Sequence, residues 1–195
     1  MKSIVLASGN PGKKAEIEQL LAPFGTRVVT QSELGITEAE EPYETFFENA
    51  LAKARHAAFA TRLPALADDS GLCVDALGGA PGVHSARYAG EPRSDARNNE
   101  KLLSELKEKD DRRAHYVCVL VLMRGPGDTQ PLVAEARWHG EIARAARGGN
   151  GFGYDPYFYL PELGKTAAEL PPEQKNRLSH RGQALQKLLA MLRSP

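Results

Sequence analysis

The stretch LADDSGLCVDALGGAPGVHSARYAG, Leu66–Gly90, decides how this chain is read. It follows on from an apolar run, Leu63 to Ala67, that predicts a short buried strand ending on two adjacent carboxylates, Asp68 and Asp69, then Ser70 and Gly71. Side chains alternate along a strand, so the two acids point to opposite sides: one can face a cleft while the other faces structure. A second apolar run, Leu72 to Leu77, leads into the turn cluster Gly78-Gly79-Ala80-Pro81-Gly82. His84, Ser85, Arg87 and Tyr88 crowd behind it. Acid, small residues, then base and aromatic read as the edge of a site; the plain alternative is a surface hairpin.

Toward the N-terminus, Lys2 to Ala7 predicts a buried first strand broken by Ser8-Gly9-Asn10-Pro11-Gly12. A helix from Lys13 places Ile17, Leu20, Leu21 and Phe24 on one face. Strand, small-residue turn and helix start with an early lysine is a plan for binding phosphate at unpaired helix N–H groups. It is not the GxxxxGK[ST] loop. The alternative is an ordinary connection. Thr26 to Thr30 predicts a second strand, and Ser32 to Glu41 an acidic connection. A long helix then runs from Pro42 to about Thr61, with the proline in its first turn. Its apolar face is Phe46, Phe47, Ala50, Leu51, Ala54, Ala57 and Ala58. Glu41, Glu44 and Glu48 share one flank; Asn49, Lys53 and His56 share the other. Glu41, just ahead of the helix, can turn toward a metal.

Toward the C-terminus, Ser94-Asp95 caps a charged, solvated helix reaching about Lys109. Ala114 to Met123 and Leu132 to His139 read as scaffold strands joined at Gly125-Pro126-Gly127-Asp128, with Trp138 a core or interface residue. Arg147 to Phe158, RGGNGFGYDPYF, sets aromatic rings beside Asp155, which suits stacking and edge-reading of a flat heterocycle. Lys165-Thr166-Ala167-Ala168-Glu169 carries a capping-box pattern. Ser179-His180-Arg181-Gly182 leads the last helix, Gln183 to Arg193; two cations in its first turn oppose the helix dipole, a local conflict of the kind found at functional sites.

A chain of 195 residues, 42% hydrophobic and 26% charged, fits one soluble globular domain. Its formal net charge of zero argues against duplex nucleic acid as a partner. Cys73 and Cys118 have neither metal-ligand nor disulfide spacing. Ile4 to Ala7 is too short for a signal-peptide core, and no run approaches the ~20 apolar residues of a membrane span, so a cytoplasmic protein with no membrane partner is expected.

Six pieces taken together carry a resemblance: SGNPGK (Ser8 to Lys13), Glu40-Glu41 with ENAxxKA (Glu48 to Ala54), ADDSGLxVDALGGAPGVHSARYAG (Ala67 to Gly90), GFGYDPYF (Gly151 to Phe158), GKTxAEL (Gly164 to Leu170) and SHRGxAL (Ser179 to Leu185). In this order and spacing the chain resembles the inosine/xanthosine triphosphate pyrophosphatase family. The resemblance implies an α/β fold with an elongated mixed central β-sheet flanked by helices. It implies one domain over residues 1–195, two-lobed with a cleft between the lobes, and a homodimer. The implied reaction takes a non-standard purine nucleoside triphosphate (ITP, dITP or XTP) to monophosphate and pyrophosphate, with Mg2+. Ser8, Gly9, Asn10, Pro11, Gly12, Lys13 and Lys53 are then the triphosphate-binding residues. Glu41 and Asp69 are then the metal ligands or their water-mediated partners, Asp69 is the catalytic base and Ser70 touches substrate. Phe152, Gly153, Tyr154, Asp155, Lys175, His180 and Arg181 form the base pocket. Rival families fit less well. The septum-inhibitor type of pyrophosphatase is opposed by Asn10, Lys13 and the SHR helix start. A haloacid-dehalogenase phosphatase wants acids at alternate positions, and the Glu-rich Nudix helix is absent. A non-catalytic nucleotide-binding module would not need both Asp69 and Glu41.

Overall fold

The computed structural model describes residues 3–193. A seven-stranded sheet in the order β2-β1-β3-β4-β5-β6-β7 runs through it. Its strands are β1 Ser3–Leu6, β2 Arg27–Thr30, β3 Ala65–Val74, β4 Arg113–Met123, β5 Leu132–Ile142, β6 Phe158–Leu160 and β7 Lys165–Thr166. The helices are α1 Pro11–Leu21, α2 Phe46–Thr61, α3 Asp95–Glu105, α4 Pro172–Leu178 and α5 His180–Arg193. β1 pairs in parallel with β2 and β3, whereas β6 pairs antiparallel with β5 and β7, so the sheet is mixed. The expected α/β class with a mixed sheet holds. Lys2, where the sequence reading starts the first strand, lies outside the described residues.

The chain forms two compact units. Among the described residues the first comprises 3–69, 118–136 and 181–193. It opens as a βαβ unit, in which parallel neighbours need a crossover helix; Leu6 on β1 stands opposite both Thr30 and Leu66. Its core gathers Leu6, Ile17, Leu66, Leu120, Leu122, Leu185 and Leu188, all at most 2% exposed. Four alanines of α2, Ala50, Ala54, Ala57 and Ala58, are fully buried. The second unit comprises residues 70–117 and 137–180. Leu72, Leu102, Leu106, Phe158 and Leu170 are fully buried in it, with Trp138 at its core.

Two expected boundaries move. β3 does not stop at the acids: it runs from Ala65 through both of them to Val74. The carboxylates are buried against cations, which removes the need for solvent that would end a strand there. α2 starts at Phe46, not Pro42. Thr45 is its N-cap, accepting from the Glu48 N–H while its hydroxyl donates to the Glu48 carboxylate at 2.6 Å. The Asn49 side chain holds both backbone groups of Tyr43, at 3.0 and 3.1 Å, and so keeps the preceding segment out of the helix. Glu41 and Glu44 therefore lie outside the helix, and Phe47 is 44% exposed instead of part of the apolar face. The capping box at Thr166 and Glu169 is formed as expected, and α5 starts directly at His180, so His180 and Arg181 do occupy its first turn.

Candidate active site

In the first unit the turn after β1 is built by its own side chains. Asn10 is the N-cap of α1: its Oδ1 accepts from the N–H groups of Gly12 (2.9 Å) and Lys13 (3.1 Å), while Ser8 Oγ accepts from the Asn10 N–H (3.2 Å). The expectation of unpaired helix N–H groups is thus corrected: Pro11 has none and Asn10 engages the next two. Any anion held here meets side chains first. The Glu38 carboxylate lies close over Gly9, where an added Cβ would fall 2.0 Å from it and turn that side chain aside.

Two lysines converge on the acidic pair. Lys13 Nζ stands 2.7 Å from Asp68 Oδ1 and donates to the Asp68 carbonyl at 3.3 Å. Lys53, on the buried face of α2, donates to Glu41 Oε1 (2.6 Å), Asp69 Oδ1 (2.7 Å) and the same Asp68 carbonyl (3.0 Å). The two acids do face different partners, as strand alternation requires. Asp68 is fully buried and accepts from Arg181 Nε at 2.8 Å, with Cys118 Sγ 3.3 Å away. Arg181, 1% exposed, also pairs with Glu16. The resemblance groups Arg181 with the base pocket; here its Nε and Nη1 are engaged with these carboxylates. The reason is electrostatic, since a fully buried Asp68 needs a strong cation beside it.

The environments separate the two acids. Burial alone would push Asp68 up, but Arg181 and Lys13 outweigh it and hold the carboxyl well below the usual range. Burial raises Asp69, and Lys53 and Lys13 only partly offset it. Asp69 Oδ2 is buried with no hydrogen-bond partner. Burial also opposes the charge on Lys53, yet Asp69 and Glu41 keep it above its ordinary value. A carboxylate raised toward the working pH, with a bare oxygen, is equipped to take a proton. Among the described residues no three His, Cys, Asp or Glu side chains gather as metal ligands; Glu41 and Asp69 share Lys53.

In the second unit Gly151 to Asp155 forms a tight loop. Asp155 Oδ2 accepts from the Phe152 N–H (2.8 Å) and Lys175 Nζ (2.6 Å). Gly151 has φ 77°, and a Cβ there would meet Asp155 Oδ2 at 2.1 Å, so only glycine fits. The Lys175 ammonium lies 5.0 Å from the Phe152 ring centroid. His180 stacks on Tyr116 at 4.6 Å, and the Tyr154 hydroxyl donates to the Ser85 carbonyl at 2.8 Å. Phe152, Gly153, Tyr154, Asp155 and Lys175 are thus brought together, with Ser70 half-buried on β3. Sequence reading leaves one of the two acids facing structure, but misses Glu16 and the pairing of Asp68 with Arg181. It also misses Asp95 and Asn99, whose only signal is polar residues at i and i+4 on a helix otherwise read as solvated.

Fold and site together define an α/β protein whose working groups are ammonium, carboxylate and aromatic ring, the groups that handle phosphate, hard cations and flat heterocycles. The chain belongs to the Ham1 family, whose model matches residues 4–191. It is 66% identical to a dITP/XTP pyrophosphatase of Nitrosomonas europaea over 98% of this chain and 95% of that protein. It is 63% identical to one of Ralstonia nicotianae over 99% and 98%. Among solved structures it is similar to a HAM1 protein from Coxiella burnetii, with TM-score 0.90, 51% identity and 98% of each chain covered. It is also similar to a nucleoside-triphosphatase / dITP/XTP pyrophosphatase from Mycobacterium abscessus, with TM-score 0.73, 45% identity, and 96% and 98% covered. Among the described residues no helix is long and apolar enough to cross a membrane.

Proposed function

We propose that this protein hydrolyses non-standard purine nucleoside triphosphates (ITP, dITP and XTP) to the monophosphate and pyrophosphate, clearing them from the nucleotide pool. The names of its relatives at 60% identity and above support the reaction. The observation that carries the mechanism is Asp69: buried, raised by that burial, with Oδ2 lacking a partner, beside two lysines. Water attacks the α-phosphorus, Asp69 accepts its proton, and the α–β anhydride bond breaks as pyrophosphate leaves. Lys13 and Lys53, with Ser8 and Asn10, take the triphosphate charge; such catalysis is positioning plus electrostatics. The lysines exchange carboxylate partners for phosphate oxygens.

Mg2+ fits the donor set. Glu41 and Asp69 offer hard oxygens, and magnesium keeps several waters, so one or two carboxylates suffice. When bound, it supplies charge neutralisation for the phosphates. Phe152 stacks on the base, with Ser70 and His180 lining substrate. Asp155 holds Lys175 so that a further N–H of its ammonium can meet the 6-oxo group of hypoxanthine or xanthine. Adenine presents a donor there and leaves that N–H unmatched. Arg181 serves this arrangement by holding Asp68 and, through it, Lys13. We further propose that the two units act as one catalytic domain, that the protein is a cytoplasmic homodimer, and that nucleic acid is not its partner.

Pyrophosphate release from ITP, XTP, GTP and ATP tests the reading, with magnesium and again after EDTA. ITP and XTP giving monophosphate and pyrophosphate, with loss on chelation, is the expected result. Release of single phosphate would refute the reaction. Equal use of ATP would refute the 6-oxo reading, and turnover unchanged by EDTA would refute the metal.

A further inference from the structure

Gly153, at the centre of the aromatic loop, has both of its backbone polar groups taken by one helix. Its N–H donates to Asp95 Oδ2 at 2.7 Å, and its carbonyl accepts from Asn99 Nδ2 at 2.9 Å. Asp95 and Asn99 are at i and i+4 on α3, hence on one face. Asn99 is 8% exposed, and its amide also donates to the Asp95 carbonyl at 2.8 Å, which fixes its orientation. Helix capping does not account for this grip, because Ser94 is the N-cap of α3, accepting from the Arg97 N–H. Gly153 sits at φ 64° between Phe152 and Tyr154. Clamping it fixes the direction in which the chain leaves Phe152. The neighbouring Phe152 N–H already binds Asp155, which binds Lys175.

We propose that Asp95 and Asn99 are positioning residues for base recognition: by clamping Gly153 they hold the Phe152 ring and the Asp155–Lys175 pair in the one geometry that accepts a 6-oxopurine. This rests on the pyrophosphatase reading above. Neither side chain needs to touch substrate. Their contribution acts on the base end, far from the bond that breaks, so it is expected in ground and transition state alike and reads out in KM.

The experiment is steady-state kinetics with ITP and ATP at saturating magnesium, plus thermal melting, on the wild type and Asp95→Ala, Asp95→Asn, Asn99→Ala and Ser94→Ala variants. Asp95→Ala and Asn99→Ala are expected to raise KM for ITP about tenfold, the scale of one lost charge-assisted or buried hydrogen bond. Their kcat should stay within about twofold, and the ITP-over-ATP preference should fall. Asp95→Asn is expected to recover most of the KM, because its amide oxygen still accepts from the Gly153 N–H. Ser94→Ala should lower the melting temperature while leaving KM and preference as they were. The inference is overturned if Asp95→Ala and Asn99→Ala behave like Ser94→Ala, losing stability without a change in KM or preference. Asn99→Ala decides the question if Asp95→Ala fails to fold. A wild type inactive on ITP overturns the pyrophosphatase reading and this inference with it, an outcome distinct from a variant-only failure.

Discussion

Replacing Arg181 with methionine removes the cation that keeps a fully buried carboxylate charged. Arg181 is 1% exposed, Asp68 is 0% exposed, and Nε stands 2.8 Å from Oδ2. Breaking one partner of a buried pair costs about 3–5 kcal/mol, because the other charge stays buried. Lys13 remains 2.7 Å from Oδ1 and limits the loss, so we expect about 3 kcal/mol at pH 7. With a urea slope of about 2 kcal/mol/M, the midpoint falls by about 1.5 M. The pH dependence carries a sign. In the wild type Asp68 is held well below 3.8, so its stabilisation is complete above the ordinary carboxylate value and is lost only as pH falls through the depressed one. In Arg181→Met burial outweighs the remaining Lys13, the Asp68 carboxyl moves up, and a proton relieves the undercompensated charge as pH drops. The gap between the two proteins should therefore be widest near pH 7 and narrow toward about pH 4. Asp68→Asn combined with Arg181→Met should recover part of the loss. A gap below about 1 kcal/mol, or one that does not change with pH, would refute the reasoning. A variant of unchanged stability that discriminates ITP from ATP poorly would return Arg181 to the base.

Asp69→Asn is expected to lower kcat by about 10²- to 10⁴-fold, measured by pyrophosphate release. In the wild type, burial raises Asp69 above 3.8, so kcat/KM should fall with decreasing pH along a limb lying above the ordinary carboxylate range. That limb should be missing from the residual activity of Asp69→Asn. Gly148→Ala is expected to lower the melting temperature by about 4–8 °C, since φ is +80° and the new Cβ would lie 2.3 Å from the Ala168 carbonyl carbon, a cost of about 2 kcal/mol. An unchanged melt would show that the loop yields at little cost.

Local signals read well from sequence where the physics is local. The Thr166–Glu169 capping box, the buried stripe of α1 at Ile17 and Leu21, and the place of His180 and Arg181 in the first turn of α5 depend on near neighbours, and all appear. The failures lie where a distant group decides. Pro42 looks like a helix start until Asn49 takes both backbone groups of Tyr43. Asp68-Asp69 looks like a strand end until Lys13, Lys53 and Arg181 make it a tolerable interior. The strand–turn–helix around Ser8 to Lys13 was legible, but not that Asn10 would occupy the amides itself. Asp95 was legible only as part of a helix cap and Asn99 only as helix surface, because their partner is a glycine more than fifty positions away.

The lysine–carboxylate centre of the first unit has an electrical consequence. Lys13, Lys53 and Arg181 face Glu16, Glu41, Asp68 and Asp69, three cations against four carboxylates. The chain as a whole carries no formal net charge. A polyanion approaching from solution therefore meets no attractive far field, and its encounter rate should vary little with ionic strength. ATP and ITP carry the same triphosphate and arrive on equal terms. A centre that draws in neither leaves the choice between them to short-range contacts with the base, made after arrival.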